Sequence, residues 1–198
     1  MNNFNEEYYV IIRENNNKYP TFNGWIMPRS LKKIKVEENT EHQIWLTTGH
    51  GNGKHNEYVD YHSSGGQSVC SKEFADLILS FETGGIQFLK GTHGDVVEEV
   101  ERDYYMMHFY NRIACVEREK SNIEINPETN FIRSIRGFSI NEEVLNKIPF
   151  EKRQIFFLDE SAFIKLFHES IVEKMMNSGL KGFRFIKASQ WGDNSAFN

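Results

Sequence analysis

His50, His55 and His62 stand close together in the first third of the chain, in a stretch that also holds Glu57 and Asp60. Imidazole and carboxylate are ordinary zinc ligands, so a metal centre is the first chemistry to weigh. The spacings of five and seven residues speak against it. Neither a helix nor a tight turn is there to make such ligands converge. No native metal is expected. The same stretch contains Gly49-His50-Gly51-Asn52-Gly53-Lys54, which invites comparison with a phosphate-cradling loop. It departs from that pattern twice. Thr48 replaces the first glycine, and His55 stands where Ser or Thr would hold magnesium. No cofactor is expected.

Other chemistry-bearing residues are scattered. Glu98, Glu99, Glu101 and Asp103 form an acidic run. A solvated face is the plain reading of such a run, and attraction of a basic partner is the functional one. Acid–base work would need burial to tune these carboxylates, and four acids in a polar stretch suggest exposure instead. His168 would fall on an apolar face if residues 161–176 formed one helix, which makes it a packed histidine rather than a catalyst. Cys115 sits among apolar neighbours and reads as a small core residue. Cys70 lies near a helix start, where a thiolate would be favoured, but no histidine adjoins it.

The elements that must position these residues follow from pattern. Residues 8–12, 43–47, 86–89, 155–158 and 183–186 read as strands, and a brief strand is expected at Tyr58–Tyr61 within an otherwise long exposed loop, 49–66. A helix starts after Ser71, a good N-cap, and carries Phe74, Leu77, Ile78 and Phe81 on one stripe, with Gly84 and Gly85 ending it. Tyr104–Val116 reads as one long strand with a more apolar face. A turn-like segment follows, and residues 131–140 read as a hairpin or bent strand around Gly137. Ser170-x-x-Glu173 is a capping box for a second helix that stops at Gly179. Only two helices are well marked, and hairpin-like spacings separate the strands. The expected architecture is therefore a single α+β domain with a mainly antiparallel mixed sheet and a few short helices. Residues 1–67 supply strands and the polar loop, 68–187 the core, and 188–198 a loose polar tail that Trp191 anchors.

Composition bounds the function. The chain has 198 residues, two cysteines and a formal charge of −5. It is long enough to bury a core without disulfides. Sixteen Phe and eight Tyr mark a folding sequence rather than a disordered one. The acidic balance disfavours nucleic acid and suits a basic protein partner. No signal peptide or apolar spanning segment is visible, which places the protein in the cytoplasm without a membrane partner.

Three stretches carry a resemblance: SVCSKEFADLILSFETGGIQFL, YYMMHFYNRIACVEREKS and QIFFLDESAFIKLFHESIVEKMMNSGLKGFRFI. Together, over Ser68–Ile186, they resemble an immunity family of bacterial polymorphic toxin systems, once catalogued as a domain of unknown function and represented by a myxobacterial protein. Gly179, Gly182 and Phe183 fit its closing unit. The resemblance implies a cytoplasmic antidote that binds a cognate toxin domain and is not an enzyme. It carries over no catalytic residue. The surface expected to meet the toxin comprises Glu98, Glu99, Glu101, Asp103, Tyr58 and Asp60. Two other readings are an enzyme that reverses toxin damage, using His50, His55, Glu57 or His168, and a chaperone that loads an effector for secretion.

Overall fold

The computed structural model describes residues 3–23, 31–37, 44–48, 56–64, 67–95 and 100–196. Phe4–Glu7 (α1) leads into β1 (Tyr8–Arg13), followed by β2 (Phe22–Asn23), β3 (Ile44–Thr48), β4 (Tyr61–Ser64) and β5 (Gln67–Cys70). Helix α2 (Lys72–Leu79) precedes β6 (Ile86–Asp95), β7 (Val100–Phe109) and β8 (Arg112–Ile113). A hairpin of β9 (Asn122–Ile125) and β10 (Ile132–Gly137) comes next, then α3 (Glu142–Asn146) and α4 (Phe150–Arg153). The chain closes with β11 (Ile155–Leu158), β12 (Lys165–His168), α5 (Glu169–Met176) and β13 (Phe183–Lys187).

The α+β class is as expected, but the strands form two sheets plus the hairpin. One has five strands in the order β13-β1-β12-β11-β8, and the other has six in the order β2-β3-β6-β7-β5-β4. Each is antiparallel except for one parallel pair, β8 with β11 and β3 with β6.

Side chains alternate across a strand, and the five-stranded sheet uses both faces. Ile155 and Phe157 enter a core shared with Phe74 and Ile78 of α2, Met175 of α5, and Met107 and Phe109 of β7. Phe156 and Leu158 enter a second core with Phe4, Tyr8, Val10, Leu145 and Ile164. That double covering explains the unbroken apolar run of β11. The far face of the six-stranded sheet forms a third core around Phe22, Val36, Val69, Tyr104 and Met106.

Several local expectations are corrected. The expected strand Tyr104–Val116 breaks after Phe109. The N–H groups of Tyr110 and Asn111 both donate to Gly85 O, each at 3.0 Å. The Asn111 amide donates to Lys152 O at 2.5 Å and Ile155 O at 3.3 Å. These bonds replace the ladder and let the chain cross from one sheet to the other. Residues 161–176 are no single helix, because sheet pairing keeps Lys165–His168 extended between β1 and β11. The cap of α5 is accordingly His168, whose side chain accepts from Ser170 N–H at 3.2 Å, rather than Ser170 itself. The strand expected at Tyr58–Tyr61 begins only at Tyr61. The tail is held rather than loose: Trp191 packs on Phe138 at 5.5 Å between ring centroids, and Arg184 donates to Ser195 O at 2.6 Å. Ser71 caps α2 as expected, accepting from Phe74 N–H at 3.2 Å.

Candidate partner-binding surface

His50, His55, Glu98 and Glu99 lie outside the described residues, as does the stretch 49–55. His62 is fully buried. Its Nδ1 donates to Pro20 O at 2.9 Å and its Nε2 accepts from Val59 N–H at 3.1 Å. Both nitrogens thus serve the backbone and define the neutral tautomer. Burial, aided by Arg13, pushes its pKa down to about 4. Among the described residues no group of three or more His, Cys, Asp or Glu side chains is placed to hold a metal ion. His168 caps α5, and its pKa is lowered mainly by burial, against the pull of Glu169 and Glu7. Both cysteines are buried, and burial pushes their thiols up, away from the nucleophilic thiolate. Glu57 is tied through its backbone, donating to Lys18 O at 2.9 Å.

The other residues expected at the interface fall in two places. Glu101 and Asp103 are exposed on β7, on the side that carries Tyr105 and Met107 farther along. Asp103 pairs with Lys90 at 2.7 Å. Tyr58 packs on the opposite side, against Phe22, His93 and Tyr104, with Arg102 stacked 4.0 Å over its ring. Asp60 is tied into the fold: its carboxylate accepts from Ser71 Oγ and Lys181 N–H, both at 2.8 Å. These four residues do not make one patch.

A different surface presents apolar side chains to solvent. Phe131 is 73% exposed and Phe163 is 66% exposed. Neither is needed by a core, and large exposed aromatics are the residue type that interfaces favour. Phe163 sits on a short loop between β11 and β12 that the fold holds rigid. Ser161 Oγ accepts from Phe163 N–H at 3.0 Å and Ile164 N–H at 3.1 Å. Leu158 N–H donates to Ile164 O at 3.0 Å, and Asp159 N–H to Ile113 O at 3.0 Å. Beside this loop opens a pocket of about 470 Å³, bounded by β1, β10, the loop and Trp191. Its walls are mainly apolar, with Glu160 and Arg133 among the polar lining residues.

At the other end of the loop Asp159 gathers cations. Lys33 reaches it at 2.7 Å and Arg112 at 3.0 Å. Burial would raise its pKa, but the two cations outweigh that and hold it low. Arg112 also stacks on Phe157 at 4.0 Å, and Lys165 approaches the same ring at 5.7 Å. Lys165 is 5% exposed, and burial, with Arg112 nearby, lowers its pKa to about 8.

Sequence reasoning did not single out Glu160, Phe163 or the hairpin as a surface. The one available signal was an apolar residue, Phe163, inside the polar stretch DESA-F that follows an apolar strand.

Residues 7–190 match the immunity protein family Imm11. The chain belongs to that family, and the match takes in β1 and the loops before Ser68, where no motif is legible. No curated protein matches. Among the described residues no helix is long and apolar enough to cross a membrane.

Proposed function

We propose that this protein is a cytoplasmic antidote that binds a cognate polymorphic toxin domain one to one and neutralises it without turnover. The observation that carries this reading is the family match across residues 7–190. Supporting it, the described groups best suited to catalysis are engaged in structure: His62 on the backbone and His168 on a helix end. The partner is a protein, not nucleic acid or lipid, in keeping with a net charge of −5. Exposed Glu101, with the acidic run before it, would speed encounter with a basic toxin.

The test is co-expression with the toxic C-terminal domain encoded by the neighbouring gene, scored for growth and co-purification. The proposal expects rescue with a stable stoichiometric complex. Rescue without a complex would overturn it in favour of an enzyme that repairs damage. Improved toxin export with toxicity unblocked would favour a chaperone instead.

A further inference from the structure

Glu160 is anomalous in its surroundings. It lines the mainly apolar pocket between β1, β10 and the Asp159–Ile164 loop. Its Oε1 accepts from Val116 N–H at 3.0 Å, which fixes the carboxylate in place. Its Oε2 is buried, and among the described residues nothing donates to it. No ion pair joins Glu160 to a described Lys or Arg, although Arg133 lines the same pocket. A buried carboxylate oxygen without a donor is costly, and a donor brought from outside would recover that cost.

We infer that this pocket receives a lysine or arginine side chain of the protein partner, with Glu160 turning its Oε2, closed to solvent in the free protein, toward the cationic head. The inference rests on the antidote reading for the identity of the partner. Two features select a long basic side chain over other occupants. Such a side chain has an apolar stem and a charged tip, matching a pocket with Ile12, Ile135, Ile164 and Trp191 on its walls and one carboxylate among them. Its charge also complements Glu160, which no described Lys or Arg pairs, and the net charge of −5. The pocket volume of about 470 Å³ leaves room for the apolar neighbours of that side chain as well. Phe163, exposed and held by Ser161, stands at the rim to pack against the segment that carries it. Because the loop is already fixed by backbone bonds, little ordering is needed on binding.

The first arm uses the full chain and a small probe, n-butylguanidinium, with n-butanol as its neutral control. In isotope-labelled protein, the cation should shift the methyl signals of Ile12, Ile135 and Ile164 and the Trp191 indole, saturating at about 10 mM. Butanol should bind at least about threefold more weakly, and Glu160→Gln should bring the cation down to that level. Equal binding of the two probes, or no saturable shift, would overturn the inference. The second arm uses the neighbouring toxin domain. Glu160→Gln is nearly isosteric and keeps an acceptor for Val116 N–H, so the fold is retained. It should weaken the complex about 10- to 100-fold, and Phe163→Ala about tenfold. A toxin that binds wild type and both variants equally would refute the pocket while leaving the antidote reading intact. A toxin that binds no form, alongside a cation-selective probe signal, would refute the antidote reading for that neighbour and support the pocket.

Discussion

The five-stranded sheet and the flank made by the β9–β10 hairpin with the Asp159–Ile164 loop are adjacent in space but obey different rules. In the sheet nearly every large apolar side chain is consumed: Phe156, Leu158, Leu166 and Phe167 show no exposure at all. On the flank Phe131 and Phe163 stand in solvent, and Ile125 is partly out as well. A two-stranded ribbon is marginal by itself, so Ile123, Ile132 and Ile135 must lean on the core while the outer residues stay free. Folding therefore accounts for the apolar residues of the sheet and does not account for those of the flank. A partner does.

That contrast can be broken most directly with two phenylalanines of opposite exposure. Phe156→Ala should cost about 3–5 kcal/mol, because it empties a site closed on both sides by Tyr8 and its neighbours. Phe163→Ala should stay within about 0.5 kcal/mol of wild type in the same urea titration. Comparable losses for the two would mean that the flank is structural after all.

A second pair contrasts the crossover between the sheets with an open helix end. Gly85 has φ +92°, and a Cβ there would meet Asn111 Cβ at 2.0 Å. Gly179 has φ +79° with nothing within 4 Å. Gly85→Ala should therefore cost about 2–5 kcal/mol, from strain and overpacking together, and Gly179→Ala about 1–2 kcal/mol, from strain alone. Equal midpoint shifts in thermal melts would show that the crossover yields to a methyl group.

The third test concerns acid. The folded pKa of His62, about 4, lies below its ordinary value of 6.5, so the unfolded chain takes up the proton first. Stability should be full above pH 6.5 and fall by about 3 kcal/mol as pH drops toward 4. His108 and His168, also shifted down, act in the same direction. Unfolding midpoints between pH 7 and 4.5 check the slope, and a folded-state titration of His62 near 6.5 would contradict it.

The last test concerns Lys165, a buried cation. Lys165→Met should stabilise by about 1–3 kcal/mol at pH 7. The wild-type folded pKa of about 8 is depressed from 10.5, so wild-type stability from this group is lost as pH falls from 10.5 to 8. The advantage of the methionine variant should consequently shrink over that window as pH rises. A constant difference would show that Lys165 is well solvated.

Much of the fold was legible wherever one residue type has one local use. Ser71 caps α2 as its spacing indicates, and Ile155–Leu158 is a buried strand. The misjudged elements are those where distant pairing overrode local pattern. The Tyr104–Val116 run alternates like one strand whose more apolar face is broken by Asn111, and it is there that Gly85 O takes the amide bonds and the chain turns toward the second sheet. Ser170 and Glu173 have capping-box spacing, yet the ladder between β1, β12 and β11 holds the chain extended through His168. The strap Leu31–Glu37 had no visible pattern. It is held by the Gln87 side chain, which donates to Val36 O at 2.8 Å and accepts from Val36 N–H at 3.0 Å, and by His108, which donates to Ile34 O at 2.8 Å.

By itself, the sequence determined the α+β class, the helix carrying Phe74 and Ile78 and the buried β11 run, because periodicity, capping and glycine placement act within a few residues of each other; the family kinship was legible separately, as a resemblance of whole stretches. Only the tertiary structure decided that Phe163 faces solvent while Phe157 and Phe167 do not, and that Glu160 lines a pocket with one oxygen unanswered among the described residues. Exposure and hydrogen-bond satisfaction depend on what the rest of the chain places nearby, and no local pattern encodes that.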